Sequence, residues 1–303
     1  MRHQWKAEVL EQVAERVATL WIGPKLSFLE RLSLKSFHDI GQTPILYLYD
    51  DVEDPPEYVE IRDAREVMDE TFVQRYWGKD KLDDARIHAD IFRVLLMRKT
   101  DHIWIDADVY ALHPHVSTDG YLFAARNRRF IPNGVMRIPR DSPAILEMEK
   151  FVSATEGVPP WWTEEQIALQ KENEPDFSFE NLPVGVTGPE AFGYFVRKSG
   201  ELKHSKTFDY LYPILARHST TLLFVPSPYD LAEMREKSMS LHLYATAIRR
   251  KLFNRMGGVP PEGSLLHDLC MAHDIDFGMH PIEHRDPKKD AQKRRDFYQN
   301  LEN

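Results

Sequence analysis

Residues 87–114 read IHADIFRVLLMRKTDHIWIDADVYALHP: a helix, a turn, and a strand that ends in acids. Apolar Ile87, Ile91, Val94, Leu95 and Met97 recur at helical spacing. Arg86, Asp90 and Arg93 fall four and three residues apart on another face, so Asp90 and Arg93 point the same way. Arg98 and Lys99 suit a last helical turn, where exposed carbonyls favour positive charge, and Thr100-Asp101 then turns the chain. His102-Ile103-Trp104-Ile105 is short, β-branched and aromatic, the composition of a buried central strand, and it stops at Asp106-Ala107-Asp108. In an open α/β sheet ligands bind beyond the carboxyl ends of the strands, which places both carboxylates at the crevice. An isolated Asp-x-Asp is ordinary in a solvated turn. Here a buried strand carries it, and Asp90 and Arg93 stand one helix earlier, so several charges converge on one end of the sheet.

Upstream, Trp5 to Val17 has the spacing of a leading helix, and Val17 to Ile22 reads as a strand broken by Gly23-Pro24. Ser27 caps a helix running to His38, with Glu30 completing a capping box. Pro44 to Asp50 is a second buried strand ending in acids, Asp51 to Pro56 a loop, and Glu57 to Ile61 a third, weaker strand. This alternation predicts an α/β fold with a mainly parallel central sheet. Phe72 to Lys79 belongs to the layer that covers it.

Downstream, Tyr121 to Ala125 and Ile131 to Ile138 read as strands, and Asn133-Gly134 is the favoured pair of a tight hairpin turn. Ser142 to Thr155 is a helix, followed by Pro159-Pro160-Trp161-Trp162. The two tryptophans either fill core or line a groove for sugar rings. In VGVTGPE, Val184 to Glu190, Thr187 and Glu190 have capping-box spacing with Pro189 in a first turn. Ser238 to Tyr244 is a late extended segment carrying His242, with Arg249, Arg250 and Lys251 just after it, and Leu265 to His273 is a final helix.

The chain has 303 residues, enough for a large core, and we expect residues 1–280 to form one domain with a charged tail at 281–303. Within it, two halves are expected, at 17–114 and 115–280. A formal charge of −9, with no basic face outside the Lys288 to Arg295 run, argues against a nucleic-acid partner. That run, mixed with acids, reads as a solvated helix or as a patch for peripheral membrane contact. Cys270 is the sole cysteine, which excludes intramolecular disulfides and multi-cysteine metal sites. No signal-peptide core or apolar run of membrane-spanning length is present, so a cytoplasmic protein is expected, with contact at the inner face of a membrane where its acceptor lies.

Asp90-x-x-Arg93 followed by Asp106-Ala107-Asp108-Val109 resembles the sugar-binding DXD region of the family 32 glycosyltransferases, and is similar to that of the glucosylating clostridial toxins. Leu20-Trp21-Ile22-Gly23, the segment Leu32 to Gly41 and Leu46 to Asp50 match the family's opening as well, so the resemblance spans Val17 to Pro114. Where the family has Gly-Gly before the DXD strand, this chain has Thr100-Asp101-His102. The resemblance implies a GT-A, Rossmann-like nucleotide-binding fold with helical additions. It implies a retaining, metal-dependent hexosyltransferase that moves sugar from a UDP-sugar to a glycan or glycolipid acceptor, as in polysaccharide biosynthesis. Mn²⁺ or Mg²⁺ would be held by Asp108, Asp106 and His242, a hard oxygen-rich set suited to those ions. Trp21, with Ile22 and Gly23, would receive the base, Asp90 and Arg93 the sugar hydroxyls, and Asp106 the ribose or the metal. Asn133 and Gly188 would face the reaction centre. For each of these, core packing, turn chemistry or capping is the competing explanation.

Two rival readings share the acids. A strand ending in Asp-x-Asp also opens the haloacid-dehalogenase-like phosphohydrolases, where the first Asp is a nucleophile, here Asp106, and the second, Asp108, an acid/base. There the motif sits on the first strand, whereas here several elements precede it. The other rival is a non-catalytic nucleotide-sugar binder.

Overall fold

The computed structural model describes residues 15–69, 84–126, 131–154, 156–173, 177–183 and 185–282. Its centre is a five-stranded sheet in the order β3-β2-β1-β4-β7. Strands β1 (Val17–Trp21), β2 (Ile45–Leu48), β3 (Glu60–Asp63) and β4 (Ile103–Ile105) run parallel, and β7 (Val135–Met136) lies antiparallel to β4. The expected mixed α/β architecture with a mainly parallel sheet is what the chain forms.

Helix α1 (Phe28–Asp39) connects β1 to β2, and its start is fixed as its sequence predicts: Ser27 N and Oγ both donate to Glu30 Oε2, at 2.9 and 2.6 Å. Helix α2 (Asp84–Lys99) precedes β4 and lays Ile91, Phe92, Val94, Leu95, Leu96 and Met97 into the core, with Phe92 against Trp104 at 6.0 Å between ring centroids. The sheet register brings the carboxyl ends of β1 and β4 together. Val17 pairs with Ile103 and Ala18 with Trp104, so the same register carried three residues further sets Trp21 level with Ala107.

Among the described residues, two short two-stranded sheets accompany the central one. β5 (Val109–Ala111) pairs antiparallel with β9 (Ser240–His242), and β6 (Ala124–Ala125) pairs with β8 (Lys206–Thr207). The remaining helices are α3 (Pro143–Ser153), α4 (Glu164–Asn173), α5 (Ala191–Lys198), α6 (Phe208–Leu211), α7 (Leu231–Lys237), α8 (Ala245–Met256) and α9 (Leu265–Ala272). Helices α2, α3 and α5 share one apolar layer, while α1, α8 and α9 close a second one around Leu29, Tyr110 and Leu241.

Several expectations change. Tyr121 to Ala125 is not one continuous strand: Tyr121 and Leu122 make single bridges to Thr118 and Arg137, and Ala124–Ala125 pairs with β8. Ile131 to Ile138 shortens to β7. Neither Asn133 nor Gly134 has a positive φ, so no type I′ hairpin forms there. VGVTGPE does not open a capped α-helix but a π-helical turn, Val186–Glu190, leading into α5. The expected leading helix lies outside the described residues up to residue 14, and its last residue, Val17, belongs to β1. Phe72 to Lys79 and the tail beyond Ile282 also lie outside the described residues.

Candidate functional site

The site begins where β4 ends. Asp106 N donates to Gly134 O at 2.7 Å, one bond beyond the β4–β7 pairing, and the chain then turns through Ala107 and Asp108 into β5. Because Val109 pairs with His242, β9 delivers its histidine directly across from the acidic turn. His242 Nε2 lies 3.4 Å from Asp106 Oδ2 and 3.6 Å from Asp108 Oδ1. Tyr244 then adopts a left-handed conformation, φ 54° and ψ 52°, which for a residue with a side chain costs roughly 1–2 kcal/mol. That turn aims two backbone amides. Tyr244 N donates to His242 Nδ1 at 3.1 Å, and Ala245 N, at the start of α8, donates to Asp108 Oδ2 at 2.7 Å. The strained tyrosine is anchored by its hydroxyl, which donates to Ile214 O at 2.8 Å.

A second group meets this one through Arg93. Its guanidinium lies between two carboxylates, 3.2 Å from Asp106 Oδ1 and 3.4 Å from Asp90 Oδ1, and it donates to Asn133 O at 2.7 Å and Ala89 O at 3.1 Å. Its flat face rests 4.8 Å from the Trp104 ring centroid, whose indole N–H also donates to Asp106 Oδ1 at 2.9 Å. Asp90 accepts from Asn133 Nδ2 at 3.2 Å and Thr187 Oγ1 at 3.1 Å. Asp90 and Arg93 are both buried, so their i, i+3 spacing is not that of a surface ion pair. The π-helical turn presses on the same carboxylate: a Cβ on Gly188 would lie 2.5 Å from Asp90 Oδ2 and 2.6 Å from its Cγ. Thr187 therefore spends its hydroxyl on Asp90, and Glu190 accepts from Trp161 Nε1 at 3.1 Å, which replaces the capping box expected of them.

Electrostatics separate the three acids. Burial pushes the Asp90 carboxyl above its ordinary pKa against the pull of Arg93, Asn133 and Thr187. Burial also acts on Asp106, but Arg93 and His242 overcome it and hold that carboxyl below the usual range. Asp108 is raised by burial, with the His242 ring opposing. Burial disfavours the charged His242 ring, and the two carboxylates outweigh it, so its pKa lies above the ordinary value.

Asp106, Asp108 and His242 each offer one ligand atom within 4.8 Å of the others, the one such group among the described residues. The space beside them depends on Gly134, where a Cβ would lie 2.9 Å from Asp106 Oδ2 and 3.0 Å from His242 Nε2. Two hard carboxylate oxygens and an imidazole nitrogen fit a divalent cation such as Mn²⁺ or Mg²⁺. With Tyr244 N–H on Nδ1, the neutral ring carries its proton on Nε2, and a cation bound there takes that proton's place.

Trp21, Ile22 and Gly23 follow at the carboxyl end of β1. The Trp21 ring is half-buried against a cluster that includes Leu26, Leu34, Leu46 and Leu48, and its buried Nε1 has no hydrogen-bond partner among the described residues. Gly23, at φ 148°, lies beside that ring, while Ile22 packs on the main core. Thr100-Asp101-His102 lies at the opposite, amino end of β4, where Asp101 pairs with Arg137 at 2.8 Å and with Arg140. The charged turn that stands in for Gly-Gly is thus a clamp remote from the acids. Sequence reasoning missed Thr187, whose spacing to Glu190 mimicked a cap, and Tyr244 and Gly134, whose roles are set by backbone geometry.

No family model matches the chain, and no curated protein is significantly similar to it. Among solved structures, one titled "PaToxG Glycosyltransferase" is similar over 62% of this chain and 69% of its own, at 14% sequence identity and a TM-score of 0.40. Among the described residues no helix is long and apolar enough to cross a membrane.

Proposed function

We propose that this protein is a metal-dependent glycosyltransferase of the GT-A type that takes a hexose from a UDP-sugar, with retention, and passes it to a glycan or glycolipid. The observation that carries the reading is the convergence of Asp106, Asp108 and His242 at the carboxyl edge of a mainly parallel sheet, with the Asp90–Arg93 pair one contact away. Cleaving a sugar from a nucleoside diphosphate develops negative charge on the departing phosphate, which an acidic pocket alone repels. A divalent cation at the three residues, when bound, supplies the compensating charge. Trp21 receives the base at the end of β1, and Asp90 with Arg93 orients the sugar. Gly188 packs directly on Asp90 and limits where its carboxylate can lie, as positioning a sugar for reaction requires. Asn133 supports it from the side through its amide on Asp90.

The phosphohydrolase alternative needs Asp106 free for in-line attack. Both of its oxygens are engaged, Oδ1 by Arg93 and Trp104 and Oδ2 by His242. A metal-holding acid tolerates such partners better than a nucleophile does.

The test is a thermal-shift screen of UDP-, GDP- and CMP-sugars with MnCl₂ or with EDTA. A ligand that binds only the folded chain raises the melting temperature, by about 2.7 kcal/mol of stabilisation at a hundred times its dissociation constant. UDP-sugars should stabilise the protein with Mn²⁺ and far less with EDTA. Equal shifts in EDTA, or none with any nucleotide sugar, would reject the reading.

A further inference from the structure

The π-helical turn that presses on Asp90 does not end its work there. Two residues beyond Gly188, exposed Glu190 accepts a hydrogen bond from the Trp161 indole at 3.1 Å. Its other carboxylate oxygen takes no hydrogen bond among the described residues. Trp161 is half-exposed, steadied by Phe151 at 5.3 Å in an edge-on contact and by Tyr194 at 5.2 Å and 39°. Tyr194 lies on α5, which continues directly from the turn. A core tryptophan buries its ring and finds an inward partner for its N–H. This one spends its N–H on a surface carboxylate beside a second half-exposed ring.

A tilted aromatic pair with an adjacent carboxylate has the chemistry of a carbohydrate site. The apolar face of a pyranose packs on an indole, and its ring hydroxyls donate to the carboxylate. We propose that Trp161, Tyr194 and Glu190 bind a carbohydrate acceptor and hold it on the far side of the turn that packs on Asp90. The inference rests on the glycosyltransferase reading for its place in the reaction, but not for the binding itself. One rigid turn would then serve both substrates, with Thr187 and Gly188 against Asp90 on one side and Glu190 toward the acceptor on the other.

The test uses the full chain, fluorescently labelled, on an array of immobilised oligosaccharides in the presence of UDP and MnCl₂. It compares the parent with Trp161→Ala and Glu190→Gln, and the thermal shift with UDP is measured for each. Glu190→Gln keeps an amide oxygen for the indole and lies on the surface, so it tests the site without disturbing the aromatic cluster. The parent should retain a subset of oligosaccharides, and both variants should bind them at least tenfold more weakly with the UDP shift unchanged. Retention of no oligosaccharide by the parent, or parental binding in both variants, overturns the proposal. A parent that binds oligosaccharides but no UDP-sugar leaves this site standing and removes the transferase reading. Transfer to a protein with no carbohydrate bound does the reverse.

Discussion

Arg93 Nη1 lies 3.2 Å from Asp106 Oδ1, an ion pair between a buried guanidinium and a half-buried carboxylate that joins the helix before β4 to the acid that ends it. The same guanidinium reaches Asp90, so one cation opposes the effect of burial on two carboxylates. Removing one partner of a buried pair costs about 3–5 kcal/mol, since the other charge is left uncompensated. Arg93→Ala should therefore lower the melting temperature and weaken UDP-sugar binding far more than UDP binding, both read by titration calorimetry and thermal melts. Equal losses for the two ligands would confine Arg93 to a structural role.

Asp108→Asn separates function from stability. Asn keeps an oxygen for Ala245 N–H and removes a carboxylate that burial already disfavours, so the fold should survive. Turnover of a UDP-sugar should fall by roughly three powers of ten, at ~1.4 kcal/mol per tenfold. Full activity in a folded variant would remove Asp108 from the proposed metal site.

Gly188→Ala tests the wall around Asp90. The added methyl would meet the buried carboxylate at 2.5–2.6 Å, and such overpacking costs about 1–3 kcal/mol. Thermal melts should show a loss of several degrees, with sugar-nucleotide affinity reduced more than that of UDP. An unchanged melt would mean that the turn yields freely.

Trp21→Ala tests the base. Loss of aromatic stacking removes on the order of 1–3 kcal/mol by analogy with bases stacked on protein aromatics. UDP affinity, measured by calorimetry, should fall accordingly. Parental affinity in a folded variant would leave Trp21 as packing for the Leu26–Leu48 cluster.

Acid should destabilise the protein through two buried histidines outside the proposed metal group. Burial holds His88 at a pKa of about 3 and His115 at about 4, against 6.5 in the unfolded chain. Below pH 6.5 the unfolded chain binds the additional protons, so stability falls as pH drops toward those values, by on the order of a few kcal/mol in all. His88→Gln keeps a hydrogen-bonding partner for Tyr49 Oη and removes one titration, so urea unfolding between pH 7 and 5 should show a shallower slope. An unchanged slope would contradict the assignment.

Strands β1, β2 and β4 were legible because they are short, mostly apolar runs flanked by Gly, Pro or acids, and α1 because Ser27 and Glu30 announce its start, whereas β3 is a charged, half-exposed EIRD. The acidic turn, the Asp90/Arg93 face and His242 could be named from sequence. Their meeting could not, because it depends on the Val109–His242 register and on the left-handed Tyr244. Thr187 shows the opposite failure. Its spacing satisfied a local rule, yet a buried carboxylate offered its hydroxyl a partner that a helix end did not. Asn133-Gly134 failed likewise: the pair suits a hairpin, but the tertiary demand of Asp90 and Asp106 decides its conformation.

The β5–β9 ladder sets the order in which this site is assembled. Its histidine is 136 positions from Asp106, and closing a loop of that length costs on the order of 4 kcal/mol in chain entropy before any contact rewards it. All four parallel strands lie within the first 105 residues, so during synthesis the sheet and its acidic turn can form while β9 and α8 are still unmade. A nascent chain thus holds Asp106 with Arg93 but without His242, and Asp108 with neither the His242 ring nor the amide of Ala245, until β9 and α8 are made. The three-residue group is completed only when residues 240–245 have been made, and not by residues 17–114 alone.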